Sequence, residues 1–122
     1  VMASPRLRRG FLVIKPEKVR GQEVHASTIR GAFRFAEQTE DFPKPDLVVT
    51  GSVAVDVHGN RLGKGGGYGD RELEIIRGRF GKVPVVTTVH DMQVVDSVPS
   101  EPHDQKVDII VTPTRTIRVK FP

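Results

Sequence analysis

Five of the seven residues from Gly63 to Gly69 are glycine, within the run Arg61-Leu62-Gly63-Lys64-Gly65-Gly66-Gly67-Tyr68-Gly69-Asp70. A stretch this poor in side chains cannot build a core, a strand interior or a stable helix. It must be a turn between elements that do. Without Cβ atoms the backbone can take φ > 0 and let another molecule come close. Its flanks show what it connects. Asp46-Leu47-Val48-Val49-Thr50 and Val53-Ala54-Val55-Asp56 are short, β-branched and continuously apolar, the pattern of strands covered on both faces. From Asp70 to Phe80, Leu73, Ile76 and Phe80 recur at helical spacing with Ile75 beside them, Asp70 is a good N-cap and Gly81 a stop. Strand, glycine loop and helix in that order argue against a flexible linker. Successive N–H groups turned toward one point, backed by a helix N-terminus, make an anion nest whose obvious guest is a phosphate. Lys64 and Arg61 add positive charge, and Asp70 stands close enough to hold a phosphate's metal ion.

The remaining chain extends this alternation. Phe11-Leu12-Val13-Ile14 reads as a buried strand closed by Lys15-Pro16. Ser27-Thr28 caps a short helix through Phe33, Phe35 and Ala36, weakened by Gly31, and Phe42-Pro43-Lys44-Pro45 breaks any helix. Val57-His58-Gly59-Asn60 is a turn. Val83 to Val89 is a strand ending in His90-Asp91-Met92-Gln93, polar residues at a carboxyl strand end, where open α/β sheets place their ligands. Val107 to Thr112 is another buried strand, and Thr116 to Lys120 an edge strand with alternating exposure. Strands alternating with helices predict an α/β fold in one domain over 1–122.

Composition narrows the function classes. There is no cysteine, so disulfides and thiolate metal sites are excluded and a cytoplasmic setting fits. No apolar run reaches membrane-spanning length. Net charge is +4, unevenly placed. Residues 1–34 carry eight Lys and Arg (Arg6, Arg8, Arg9, Lys15, Lys18, Arg20, Arg30, Arg34) against Glu17 and Glu23, a surplus of six; the remainder carries eleven against thirteen, a deficit of two. A basic first quarter either draws polyanions, RNA among them, or is a solvated face with no partner.

On spacing alone the glycine run is a generic phosphate nest. Lys64 is followed by Gly65 rather than Ser or Thr, so it is not a P-loop, and Gly63-x-Gly65 has no cleanly placed acidic ribose partner. The neighbours sharpen the reading. Arg61-Leu62-Gly63-Lys64-Gly65-Gly66-Gly67-Tyr68-Gly69-Asp70-Arg71 closely resembles the R-L-G-[RK]-G-G-G-Y-Y-D-R signature of the 5-formyltetrahydrofolate cyclo-ligase (methenyltetrahydrofolate synthetase) family. Asp46–Asp56 resembles the strand leading into that loop. Asp91-x-Gln93, then Val98-Pro99-x-Glu101-x-His103-Asp104-x-x-Val107-Asp108, resembles the family's C-terminal motif. Val89–Asp96 and Thr112–Arg115 are most similar to the methenyltetrahydrofolate synthetase domain-containing proteins, a divergent branch.

The resemblance implies a three-layer α/β fold with a mostly parallel sheet flanked by helices. It implies an ATP- and Mg2+-dependent ring closure of 5-formyltetrahydrofolate to 5,10-methenyltetrahydrofolate, releasing ADP and phosphate. By it, Gly63, Lys64, Gly65, Gly66 and Gly67 cradle phosphates, Lys64 and Arg61 supply charge, Tyr68 faces the ligand, Gln93 contacts ligand, and Asp70 and Asp104 hold Mg2+. Position 69 departs from the signature, being glycine where the family has a second tyrosine. The family's N-terminal region is unmatched, so the chain reads as the C-terminal part of a cyclo-ligase, truncated at its start. A non-catalytic descendant binding nucleotide or RNA through the nest and residues 6–34 is the alternative. Each side chain also has a structural role open to it: Asp70 as cap, Asp104 as turn brace, Asp108 as strand-start order, Arg61 paired with Asp56, Gln93 on buried backbone, His90 against His103.

Overall fold

The β-branched runs become strands, and parallel pairing of two of them sets the sheet. In the computed structural model, residues 1–4, 7, 10–63, 68–102 and 104–119 are described, Tyr68 by its backbone only. The chain divides into two units, Val1–Lys44 and Pro45–Pro122.

In the first unit, β1 (Phe11–Val13) pairs antiparallel with β2 (Glu37–Thr39), Leu12 opposite Gln38. On its other side Leu12 exchanges two backbone hydrogen bonds with Met2 (2.7 and 2.8 Å). Two short helices lie between, α1 (Glu23–Ala26) and α2 (Ile29–Phe35). Thr28 caps α2 as its sequence suggests, its hydroxyl accepting the Gly31 N–H at 2.9 Å. Gly31, which weakens this helix on propensity, has a packing reason: a Cβ there would overlap the His25 carbonyl. The edge-to-face pair Phe11–Phe42, centroids 5.0 Å apart, anchors the end of the unit. β2 is not legible in the sequence, because Glu37-Gln38-Thr39 has no apolar signal and owes its conformation to β1.

In the second unit, β3 (Val48–Thr50) pairs parallel with β6 (Val85–Thr88), β6 parallel with β7 (Ile109–Val111), and β7 antiparallel with β8 (Thr116–Arg118). The order β3-β6-β7-β8 makes a mostly parallel sheet, and the class is α/β, as the sequence predicts. A separate hairpin pairs β4 (Ala54–Val55) with β5 (Arg61–Leu62). The helix α3 (Tyr68–Phe80) buries Leu73 and Ile76. Leu73 joins Val55, Val85, Val89, Val107 and Ile110 in the core, with Val48, Val94, Ile117 and Val119 packed around them.

Two expectations are corrected. The run Asp46–Thr50 is not covered on both faces: Val48 packs on the core, whereas Leu47 and Val49 are 51% and 62% exposed. Successive side chains of a strand point to opposite faces, and the face that carries Leu47 and Val49 is exposed. Asp70 is not an N-cap either, because α3 begins two residues earlier at Tyr68 and places Asp70 in the first turn.

Candidate functional site

The parallel strands β3 and β6 run their carboxyl ends toward Gly51-Ser52 and Val89-His90, and the polar residues of the second unit gather there. At the centre is Arg61, delivered by β5 and only 8% exposed. Its Nη2 donates to the Gly51 carbonyl (2.9 Å), its Nε to Ser52 Oγ (3.4 Å) and its Nη1 to Asp70 Oδ1 (3.3 Å). Arg61 therefore pairs with Asp70 on α3 and not with Asp56 across the turn. Ser52 is itself fixed, its hydroxyl 2.6 Å from Thr87 Oγ1, which donates to the Thr50 carbonyl at 2.8 Å. Thr87 is wholly buried in β6. Its use there is to lock the strand end that carries Ser52.

Asp70 has a second partner. The Gln105 N–H donates to Oδ1 at 3.0 Å, so one carboxylate oxygen takes both bonds. Among the described residues, Oδ2 takes none. Arg77, one face of α3 further on, holds the same loop from the other side, donating to Gln105 Oε1 (3.1 Å) and the Lys106 carbonyl (2.8 Å) and lying 3.6 Å from Asp108. Asp104, adjacent to Gln105, accepts the Glu101 N–H through Oδ2 at 2.7 Å and donates its own N–H to the Glu101 carbonyl at 3.0 Å. Asp104 is thus a turn brace, and the loop it shapes is the one Asp70 touches. Asp108 accepts the Val85 N–H at 2.8 Å, ordering two strand starts at once.

Gln93 satisfies backbone on three counts: its Nε2 donates to the Ser52 and Val53 carbonyls (3.0 and 3.1 Å), and its Oε1 accepts the His90 N–H (2.7 Å). His90 caps the short 3-10 turn Asp91–Gln93, its Nδ1 accepting the Met92 N–H. Asp91 accepts hydroxyls from Thr112 (2.6 Å) and Thr114 (2.7 Å), which hold its carboxyl below the ordinary range. Glu72, half-buried on α3, is pushed upward by burial against the opposing pull of Arg61.

The sequence names Arg61, Gly63, Asp70, Gln93 and Asp104, and the structure brings Arg61, Asp70, Gln93 and the loop beside Asp104 into one hydrogen-bonded network. Lys64, Gly65, Gly66 and Gly67 lie outside the described residues, as do the side chain of Tyr68 and the whole of His103. Ser52, Glu72, Arg77 and Thr87 join the network without a motif to mark them. A serine directly after a glycine at a strand end is the signal that could have found Ser52. Nothing in the sequence marks Thr87.

A magnesium ion can be fitted to these donors. Among the described residues no group of three or more His, Asp or Glu converges, so protein ligands would be few and oxygens of a phosphate and water would complete the shell. Asp70 Oδ2, without a hydrogen bond among the described residues, would be one such protein oxygen. No helix among the described residues is long and apolar enough to cross a membrane.

Comparison with known proteins bears on the family of this chain. The profile of the 5-formyltetrahydrofolate cyclo-ligase family matches residues 5–113. A methenyltetrahydrofolate synthase domain-containing protein of Mus musculus is 42% identical over 128 residues, covering 96% of this chain and 34% of the relative. A 5-formyltetrahydrofolate cyclo-ligase of Mycolicibacterium smegmatis is 35% identical over 78 residues, covering 64% of this chain and 39% of the enzyme. The NMR structure of Aquifex aeolicus 5,10-methenyltetrahydrofolate synthetase superposes with a TM-score of 0.55 at 32% identity, covering 75% of this chain and 47% of that one. The chain spans about a third of the length of the curated relatives it matches.

Proposed function

The chain belongs to the 5-formyltetrahydrofolate cyclo-ligase family, a family of ligases, and from that premise we propose that it supplies the nucleotide-binding part of an ATP- and Mg2+-dependent cyclo-ligase. The substrate is 5-formyltetrahydrofolate and the product 5,10-methenyltetrahydrofolate, with ADP and phosphate released. One observation carries the reading: Asp70 stands at the carboxyl ends of the parallel strands with Oδ1 tied down and Oδ2 without a hydrogen bond among the described residues.

The chemistry explains why such a site is needed. A formamide oxygen is a poor leaving group. It first attacks the γ-phosphorus of ATP, and ADP leaves. The neighbouring folate nitrogen then attacks the formyl carbon, and the oxygen departs as phosphate. Most of the catalysis is positioning and neutralisation of charge. Backbone N–H groups from Gly63 to Gly67 take the phosphate oxygens, and Lys64 sits among them as a point charge. Tyr68 borders the ligand at the start of α3. A magnesium ion bound at Asp70, with Asp104 at the rim, would offset the charge developing between the β- and γ-phosphates. Gln93 holds the Ser52–Val53 strand end that forms the floor. The setting is cytoplasmic in this reading, in keeping with a chain free of cysteine.

The test follows the absorbance of methenyltetrahydrofolate in the whole protein given 5-formyltetrahydrofolate, ATP and magnesium. Wild type should turn over and Lys64→Ala should lose about a hundredfold or more in kcat/KM. ATP bound without any product formed would reject the ligase and leave a nucleotide-binding descendant.

A further inference from the structure

Glycine at position 69 needs an explanation. It is the second residue of α3, and its φ is not in the left-handed region. Backbone conformation therefore does not require it, and what a side chain there would meet is the Arg61 guanidinium, which would have to move. A Cβ at Gly69 would stand 2.9 Å from Arg61 Nη2, 3.1 Å from Nη1 and 3.3 Å from Cζ. A Cβ at Gly63 would stand 3.1 Å from the same Nη2. The guanidinium lies between two glycines and fills the volume that a side chain at 69 would occupy.

Arg61 is fully engaged from that seat. Each of its three nitrogens has a protein acceptor: Ser52 Oγ, the Gly51 carbonyl and Asp70 Oδ1. Those acceptors come from two segments, the β3 strand end and the first turn of α3, and β5 carries the arginine itself. A group buried to 8% exposure with this set of partners is poorly placed to swing onto a nucleotide.

We propose that Arg61 is a positioning residue, seated by the missing side chain at 69, which binds the β3 strand end and α3 into one piece and aims Asp70. Residue 69 thereby sets whether this arginine acts as a strut or is released toward the ligand. The inference rests on the nucleotide reading only for where Asp70 points; the seating of the guanidinium stands apart from it. Phosphate charge then falls to Lys64 and the backbone, and Arg61 acts through Asp70 on nucleotides of any phosphate length.

The experiment is a double-mutant cycle in the full chain, with Gly69→Ala, Arg61→Met and the pair. Two quantities are read: the Arg61 side-chain Nε–H resonance in a 15N-correlated spectrum, and the dissociation constants of MgATP and MgADP. Arg61→Lys, which keeps charge and loses the fork, is the milder variant should Arg61→Met fold poorly. In wild type the Arg61 Nε–H resonance should be distinct and slow to exchange, and in Gly69→Ala it should shift or broaden. Gly69→Ala should weaken MgATP and MgADP alike, each by about tenfold. In the Arg61→Met background the same change should add less than about twofold. An Arg61 resonance unmoved in Gly69→Ala, or additive effects, overturns the proposal. So does an Arg61→Met protein that loses MgATP but keeps MgADP, since that marks direct contact with the terminal phosphate. Absence of binding to either nucleotide in wild type rejects the nucleotide reading instead, and the resonance arm then decides the seating alone.

Discussion

Two aspartates at neighbouring turns of the second unit are put to opposite uses. Asp56 closes the hairpin between β4 and β5 and is 1% exposed. Its Oδ1 accepts the N–H groups of His58 (3.0 Å) and Asn60 (3.1 Å), and its Oδ2 accepts Asn60 Nδ2 (3.1 Å) and the Val98 N–H (3.0 Å). Asp70 has comparable chemistry but, among the described residues, takes two bonds on one oxygen. A carboxylate with four donors around it is saturated and can only hold structure. One with an oxygen to spare can still take a cation. The contrast shows that an acidic residue near a glycine loop is not a ligand by proximity; its remaining lone pairs decide.

The largest effect expected from this contrast is at Asp56. Asp56→Ala leaves the buried Val98 N–H and two turn amides without an acceptor and should cost about 4 kcal/mol of folding stability. A drop in the urea midpoint at unchanged slope measures it. A loss below about 1 kcal/mol would break the distinction from the framework side. Asp70→Asn should show the reverse profile. It keeps an acceptor for Gln105 N–H, so stability falls by about 1 to 2 kcal/mol, while magnesium-dependent nucleotide binding falls about a hundredfold. Retained magnesium dependence in that variant would erase the difference between the two residues.

Acid titration sharpens the comparison at the smallest scale. Burial raises the Asp56 carboxyl, but the Val98, Asn60 and His58 donors outweigh it, and the folded value lies below the ordinary one. A depressed folded pKa gives stability that is present above the unfolded value of about 4 and lost as pH falls through the folded value. Wild type should therefore lose stability on acidification from about pH 5 to pH 3 more steeply than Asp56→Asn does. Equal slopes would remove Asp56 as a source of the acid sensitivity.

Legibility in the sequence followed the range of the interaction. The α/β class, the strands at Phe11, Val48, Val85 and Ile109, the Thr28 cap and the helix after the glycine run were readable because each rests on period and local chemistry. Gln93 was readable only as a choice between ligand and backbone, and the structure shows it bound to backbone. For Arg61 the sequence offers charge for a phosphate or, as a structural alternative, a pair with Asp56; the folded chain pairs it with Asp70. Asp56 is five residues away in sequence, whereas Asp70 comes near only when α3 folds back beside the strand end. Thr87 is not legible because Thr87 and Thr88 look alike in sequence, and only the folded chain buries the first of them against Ser52, 35 residues away.

The amino-acid order by itself determined that a side-chain-free loop would join a strand to a helix, because glycine content and hydrophobic period are properties of neighbouring residues. It also determined the family, through the Arg61–Arg71 run. Only the folded chain decided which carboxylate is saturated, where the Arg61 guanidinium lies and what a side chain at position 69 would displace. Those depend on volumes and hydrogen-bond partners brought together from distant segments, and no local pattern encodes the space between them.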